Sequence, residues 1–172
     1  MAELSAWGNF YLIVGSATGA LIGLQFIVLT LIAQKPPDGA SEASAAFSTP
    51  TIVYFGTSFL LSAVMVAHWQ SLIPPSIILG SAALAGILYA VIILRRIRAQ
   101  NYYMPLLTDW FFYFILPLLS YLLLLISAFA SFHNEDIALY GAALSSLLFL
   151  LIGIHNAWDT VTYHLFLKKE KE

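Results

Sequence analysis

Near its C-terminal end the chain reads Gly153-Ile154-His155-Asn156-Ala157-Trp158-Asp159-Thr160-Val161-Thr162-Tyr163. On a helix, an imidazole and a carboxylate four residues apart are neighbours. Such a pair can relay a proton, because imidazole titrates near neutral pH, or it can bind a small cation. At about 100° per residue, His155, Asn156, Asp159, Thr162 and Tyr163 fall within roughly a third of the helix circumference. Polar residues elsewhere, Gln25, Thr30, Thr51, Tyr54, Thr57, Asp109 and Tyr113, can be brought to a similar level. Together they outline a polar pocket with Asp159, His155 and Asp109 as its charged groups and Asn156, Gln25 and Tyr54 as its lining. Asp109 could serve as a third ligand beside His155 and Asp159, but three donors of mixed type identify no particular metal. Each group also has a structural reading. Asp109 follows Thr108 and suits a first helical turn, where the helix dipole favours a carboxylate. Asp159 could pair with Arg95 or Arg96, and His155 could hydrogen-bond across helices.

The elements that must position these groups follow from composition. Of 172 residues, 60% are apolar and only 9% charged. A soluble domain carries roughly 25% charged residues, so this chain lacks the means to cover a soluble surface. Its mean hydropathy is +0.87. A membrane-spanning helix needs about 20 apolar residues, and five such stretches use most of the chain. The spans are expected at about 7–33, 50–73, 76–94, 109–132 and 137–167. Lys35-Pro36-Pro37 ends the first, since paired prolines do not continue a helix. Residues 40–48 read as a short interfacial segment. Ser48 or Thr49 would cap the second span, with Pro50 at its first helical position. Pro74-Pro75 is expected to form the turn into the third span, and Pro117 to kink the fourth. The expected fold is therefore all-α, one transmembrane bundle with no separate soluble domain.

Orientation follows from the basic residues. With five spans, Lys35, Arg95, Arg96, Arg98, Lys168, Lys169 and Lys171 all fall on one side, and they are every Lys and Arg in the chain. The other side carries Glu3, Glu135 and Asp136. The positive-inside rule puts the basic side in the cytoplasm, so the N-terminus is outside and the C-terminus inside. The Arg95-Arg96-Ile97-Arg98 run is read as a topology anchor in contact with anionic lipid headgroups. Glu3 precedes the first span without a basic residue, so no cleavable signal peptide is expected.

The first span carries Gly15, Gly19 and Gly23 four residues apart. Such a stripe lets another helix approach closely. That helix could belong to the same protomer or to a second copy. The chain has no cysteine, which removes disulfides and thiolate ligands. It contains no Gly-x-Ser-x-Gly, no HExxH and no phosphate loop. His68 and His155 sit near opposite ends of their spans, roughly 20 Å or more apart in depth, so one haem iron cannot take both. No cofactor and no nucleic-acid partner are expected.

Phe47-Ser48-Thr49-Pro50-Thr51 and the Gly153–Tyr163 stretch resemble signatures of a group of small bacterial multi-pass inner-membrane proteins. Gly15-Ser16-Ala17-Thr18-Gly19-Ala20-Leu21-Ile22-Gly23 is similar as well. The resemblance implies a bacterial inner membrane and carries over no activity. The leading expectation is an oligomeric protein that binds or conducts a small cation or proton through a cytoplasm-facing polar cavity. The rival is a non-transporting accessory or scaffold subunit of a membrane complex. A membrane-embedded enzyme acting on lipid stands third.

Overall fold

The computed structural model describes residues 6–33, 40–99 and 107–166. Glu3, Lys35, Tyr102, Tyr103, Lys168, Lys169 and Lys171 lie outside the described residues, as do the side chains of Ser48 and Tyr163. The regular structure is helical throughout the described residues: α1 (Gly8–Ala33), α2 (Ala40–Val66), α3 (Ile73–Ala99), α4 (Leu107–Ala130) and α5 (Glu135–Phe166). All five are long and apolar enough to cross a bilayer. The protein is an all-α, multi-pass bundle. Helices α2 and α5 form its centre. α1 packs chiefly on α2, α4 on α5, and α3 on α4 with a smaller contact to α2.

Several helix ends differ from the sequence expectation. α2 runs unbroken through Pro50, which sits inside the helix rather than at its start. The preceding stretch holds Ala40, Glu42, Ala43, Ala45 and Ala46, all good helix formers, and it joins the span instead of standing apart. α2 stops at Val66, where the Trp69 indole Nε1–H donates to the Val64 carbonyl at 2.7 Å. That bond satisfies one of the carbonyls a helix end leaves unpaired. Pro74 and Pro75 belong to the first turn of α3 rather than to the connection. A missing N–H is harmless there, so the turn falls at residues 67–72. At the start of α5 the Asn134 side-chain oxygen accepts the Ile137 N–H at 3.1 Å, and Glu135 and Asp136 occupy the first turn. Both features suit a helix N-terminus.

Packing follows membrane rules. Lipid tails are as apolar as leucine, so burying leucine gains little, and helices associate through close van der Waals contact and hydrogen bonds. Accordingly Ile13, Leu88, Ile126 and Phe129 face outward, while Ser58, Ser120, Ser127, Ser145 and Ser146 are buried. Their hydroxyls are paired. Ser58 Oγ donates to the Ser146 carbonyl at 3.0 Å and lies 3.4 Å from Thr18 Oγ1, tying α1, α2 and α5 together. Ser127 Oγ donates to the Ala138 carbonyl at 2.6 Å, joining α4 to α5. Glycines admit the rings. Gly86 lies directly beneath the Tyr121 ring, and a Cβ on Gly153 would stand 2.5 Å from Phe55.

Candidate functional site

At the end of the bundle that carries Arg95, Arg96 and Arg98, α4 departs from α-helical geometry. Pro117 has no N–H, so the Tyr113 carbonyl four residues earlier loses its usual donor, and the proline ring crowds it. Phe111–Ile115 forms a π turn, in which the Leu116 N–H reaches back to the Phe111 carbonyl. The Tyr54 hydroxyl of α2 donates to the Tyr113 carbonyl at 2.9 Å. The expected kink at Pro117 is therefore a widened turn held open by a side chain from a neighbouring helix. Such turns add a residue to the helical repeat and re-aim the side chains around them.

Phe112, on this turn, stacks on the His155 imidazole of α5, with ring centroids 3.5 Å apart and planes 20° from parallel. His155 Nε2 lies 3.2 Å from Asp159 Oδ2. The angle is poor for a hydrogen bond, because Nε2 has no hydrogen-bond partner in spite of that distance, so the contact is electrostatic rather than directional. Both side chains are about a third exposed, 33% for His155 and 39% for Asp159. Asp109 stands within electrostatic reach of Asp159. These groups are of the types that can accept a proton or a small cation. The carboxylate supplies charge, the imidazole supplies a titratable donor, and an aromatic face can stabilise the imidazole when it is cationic.

Behind this pair the bundle buries amides without partners. Asn156 is fully buried, and neither its Oδ1 nor its Nδ2 is hydrogen-bonded. Gln25 is 3% exposed and its Nε2 is likewise unpaired. An unsatisfied buried polar group costs about 1–3 kcal/mol. The two lie at neighbouring levels. Thr18, Ser58 and Ser146 meet at one height, and from there Gln25 is seven residues inward along α1 and Asn156 ten along α5, which at about 1.5 Å per residue sets Asn156 roughly 5 Å nearer the basic end.

The pocket read from the sequence comes together only in part. His155 and Asp159 are in contact, Asp109 acts on Asp159 electrostatically, and Asn156 and Gln25 are buried. Tyr54 is at the right level but committed to the Tyr113 carbonyl, which makes it a brace. Thr30 is exposed and bonded to its own helix through the Phe26 carbonyl, so it faces outward. Thr57 is tied to Tyr121 at 3.0 Å. Asp159 takes His155 as its ion-pair partner, not Arg95 or Arg96, which are exposed at the end of α3. Among the described residues no three His, Asp or Glu side chains are grouped to hold a metal ion, so Asp109 does not complete a metal site. Gly15 and Gly19 pack within the protomer, with a Cβ on Gly15 3.0 Å from Ser62 Cβ and one on Gly19 3.5 Å from the Phe59 ring. Nothing lies within 4 Å of a Cβ on Gly23.

No family model matches the chain, and no curated protein and no solved structure matches it either. The site thus rests on its own geometry. Two of its members escape sequence reading. Phe112 is one, although the aromatic run Trp110–Phe114 just before Pro117 was a usable signal. Thr160 is the other. It is buried one turn past Asn156 and donates to the Asn156 carbonyl at 2.9 Å.

Proposed function

We propose that this multi-pass membrane protein binds a proton or a small cation at its basic, cytoplasmic end, with Asp159 and His155 as the binding groups. The observation that carries the reading is the His155–Asp159 contact, made by a buried Nε2 on two side chains that are each about a third exposed and backed by the Phe112 ring. Asp109 adds negative charge, and Asn156 offers an uncommitted amide, with an unpaired amide nitrogen on Gln25. A charged pair within a span is costly unless it serves the interior or a wet cavity. The test is twofold. Wild-type liposomes are compared with empty ones for proton and cation flux, and labelled His155 is followed by NMR at fixed pH as Na+, K+, Mg2+ or Ca2+ is added. Flux or a His155 response that Asp159→Asn abolishes supports the site. Neither flux nor response under any gradient overturns it.

A non-transporting accessory subunit is the second reading. The tightly paired centre favours it. Ser58 bonded to Ser146, and Phe149 packed against Tyr121 at 4.5 Å, leave no evident passage through one protomer. Placement in a bacterial inner membrane and homo-oligomerisation complete the proposal. A reporter fused after Glu172 should be cytoplasmic and one in the Glu135–Asp136 turn external. Reporters at the two chain ends that score on the same side would end the five-span orientation. Crosslinking in mild detergent tests for the oligomer, and a monomer in lipid nanodiscs would exclude it.

A further inference from the structure

We propose that the basic-end segment of α4, residues 107–115, is a gate over the His155–Asp159 pair, hinged at the π turn and drawn shut when a proton or cation binds; the inference rests on the binding reading given above. His155 and Asp159 are each about a third exposed, yet the His155 Nε2 beside the carboxylate is buried. Phe112 covers a face of the same ring, with centroids 3.5 Å apart. A cation held by both groups therefore needs a neighbour to move. Phe112 is the neighbour that stands on the π turn, and no other such turn occurs among the described residues.

The packing divides at that turn. Trp110, Phe112 and Tyr113 join Ile93 and Tyr89 of α3 in a small apolar cluster of their own. From Leu116 outward α4 belongs to the main core, through Tyr121 and Leu124. Between the two the backbone ladder is interrupted. Pro117 gives the Tyr113 carbonyl no N–H, and the Tyr54 hydroxyl bonds that carbonyl from α2 instead. A segment with its own cluster, joined to the rest through an irregular turn, moves as a unit about that turn. Charge supplies the bias. Asp109 rides on the segment and acts electrostatically on Asp159 of α5. While both are ionised they repel, and the gate is held away. A cation or a proton on Asp159 removes the repulsion. A protonated His155 attracts Asp109 and holds the Phe112 face more strongly. The other titratable groups on or against the segment are Tyr113 itself, Tyr89 of α3 and Tyr54 of α2, all neutral phenols. Arg96 stands in electrostatic reach of Tyr89 and keeps its charge throughout. Binding and closure therefore favour each other.

The chain has no cysteine, so spin labels at Leu107→Cys and Leu31→Cys, two exposed positions at the basic end, stand alone. Distances between them are measured in nanodiscs at alkaline pH without added cation, then at acid pH and with Na+, K+, Mg2+ or Ca2+ added singly. Labelled His155 is followed by NMR in the same samples. Two distance populations are expected, and the one favoured at alkaline pH without cation is the open gate. Any condition that shifts His155 should lower it on the order of threefold, the scale of one partly exposed charge pair. Asp109→Asn should lower it as much with no ligand present. Pro117→Ala returns an N–H to the Tyr113 carbonyl and should leave the closed population alone. Unaltered helix content shows that both variants fold. A single population that no ligand and neither variant moves, with His155 still responding, overturns the gate and leaves the binding site standing. Populations that shift in Asp109→Asn while His155 stays silent to every ligand uphold the hinge and overturn the binding reading.

Discussion

The middle of the bundle and its basic end are built from the same residue types but treat polar groups in opposite ways. In the middle most serines and threonines at helix contacts are paired, Ser58 with Ser146, Ser127 with the Ala138 carbonyl, Thr57 with Tyr121, with Ser62 against Gly15 the buried hydroxyl that is not. At the basic end Asn156 and the Gln25 amide nitrogen are buried and unpaired, and His155 meets Asp159 without a directed hydrogen bond. A bilayer offers no water to correct such defects, so paired polar groups serve the fold while unpaired ones mark places where the fold accepts a cost. The π turn is the boundary between the two regions. Tyr54 braces it from the packed side, and Phe112 projects from it toward the open side.

The largest effect is expected at the centre. Gly86→Val would drive a side chain into the Tyr121 ring, which is held by Thr57 and Phe149. Overpacking should cost about 1–3 kcal/mol, toward the upper end, read as lowered thermal stability in detergent. A neutral result would mean that α3 is not seated on α4 at this point. Tyr54→Phe comes next. It strips the donor from the Tyr113 carbonyl and should cost about 1–2 kcal/mol. It should also loosen the stack of Phe112 on His155, visible as a changed ring-current shift. A destabilised variant with an unaltered His155 environment would show that the turn and the site are uncoupled.

Ser58→Ala tests the polar seam more gently. Interhelical hydrogen bonds in membranes average about 0.6 kcal/mol, so a small drop in melting temperature is expected, and a loss several times larger would make the seam the main clamp of the fold. Asp159→Asn should be smallest of all in stability. A partly exposed pair contributes about 0–1 kcal/mol, and Asn keeps the shape. If the comparison between regions holds, this variant unfolds like the wild type yet loses the cation or proton response. A marked loss of stability from Asp159→Asn would move the pair to the structural side of the divide.

Much of this architecture was written in the sequence. Five apolar stretches, Pro117 as an irregularity, and His155 with Asp159 on one face all follow from local chemistry, since span length and helical period need no partner to be read. Helix ends were less legible. Trp69 closes α2 through a bond that depends on the fold of the connecting turn, and Pro74-Pro75 suit either a turn or a first helical turn equally. Only the tertiary structure decided which polar groups are spent on the fold. Tyr54 and Gln25 look alike in sequence, each a polar residue in an apolar span. Tyr54 meets the carbonyl that Pro117 leaves unbonded, whereas the Gln25 amide nitrogen meets no acceptor. Likewise Gly15 and Gly19 were spaced to receive a helix, but which helix arrives is set by the packing of α1 on α2. Periodicity fixes the face a residue lies on, and the identity of the atom across from it depends on how the helices are arranged.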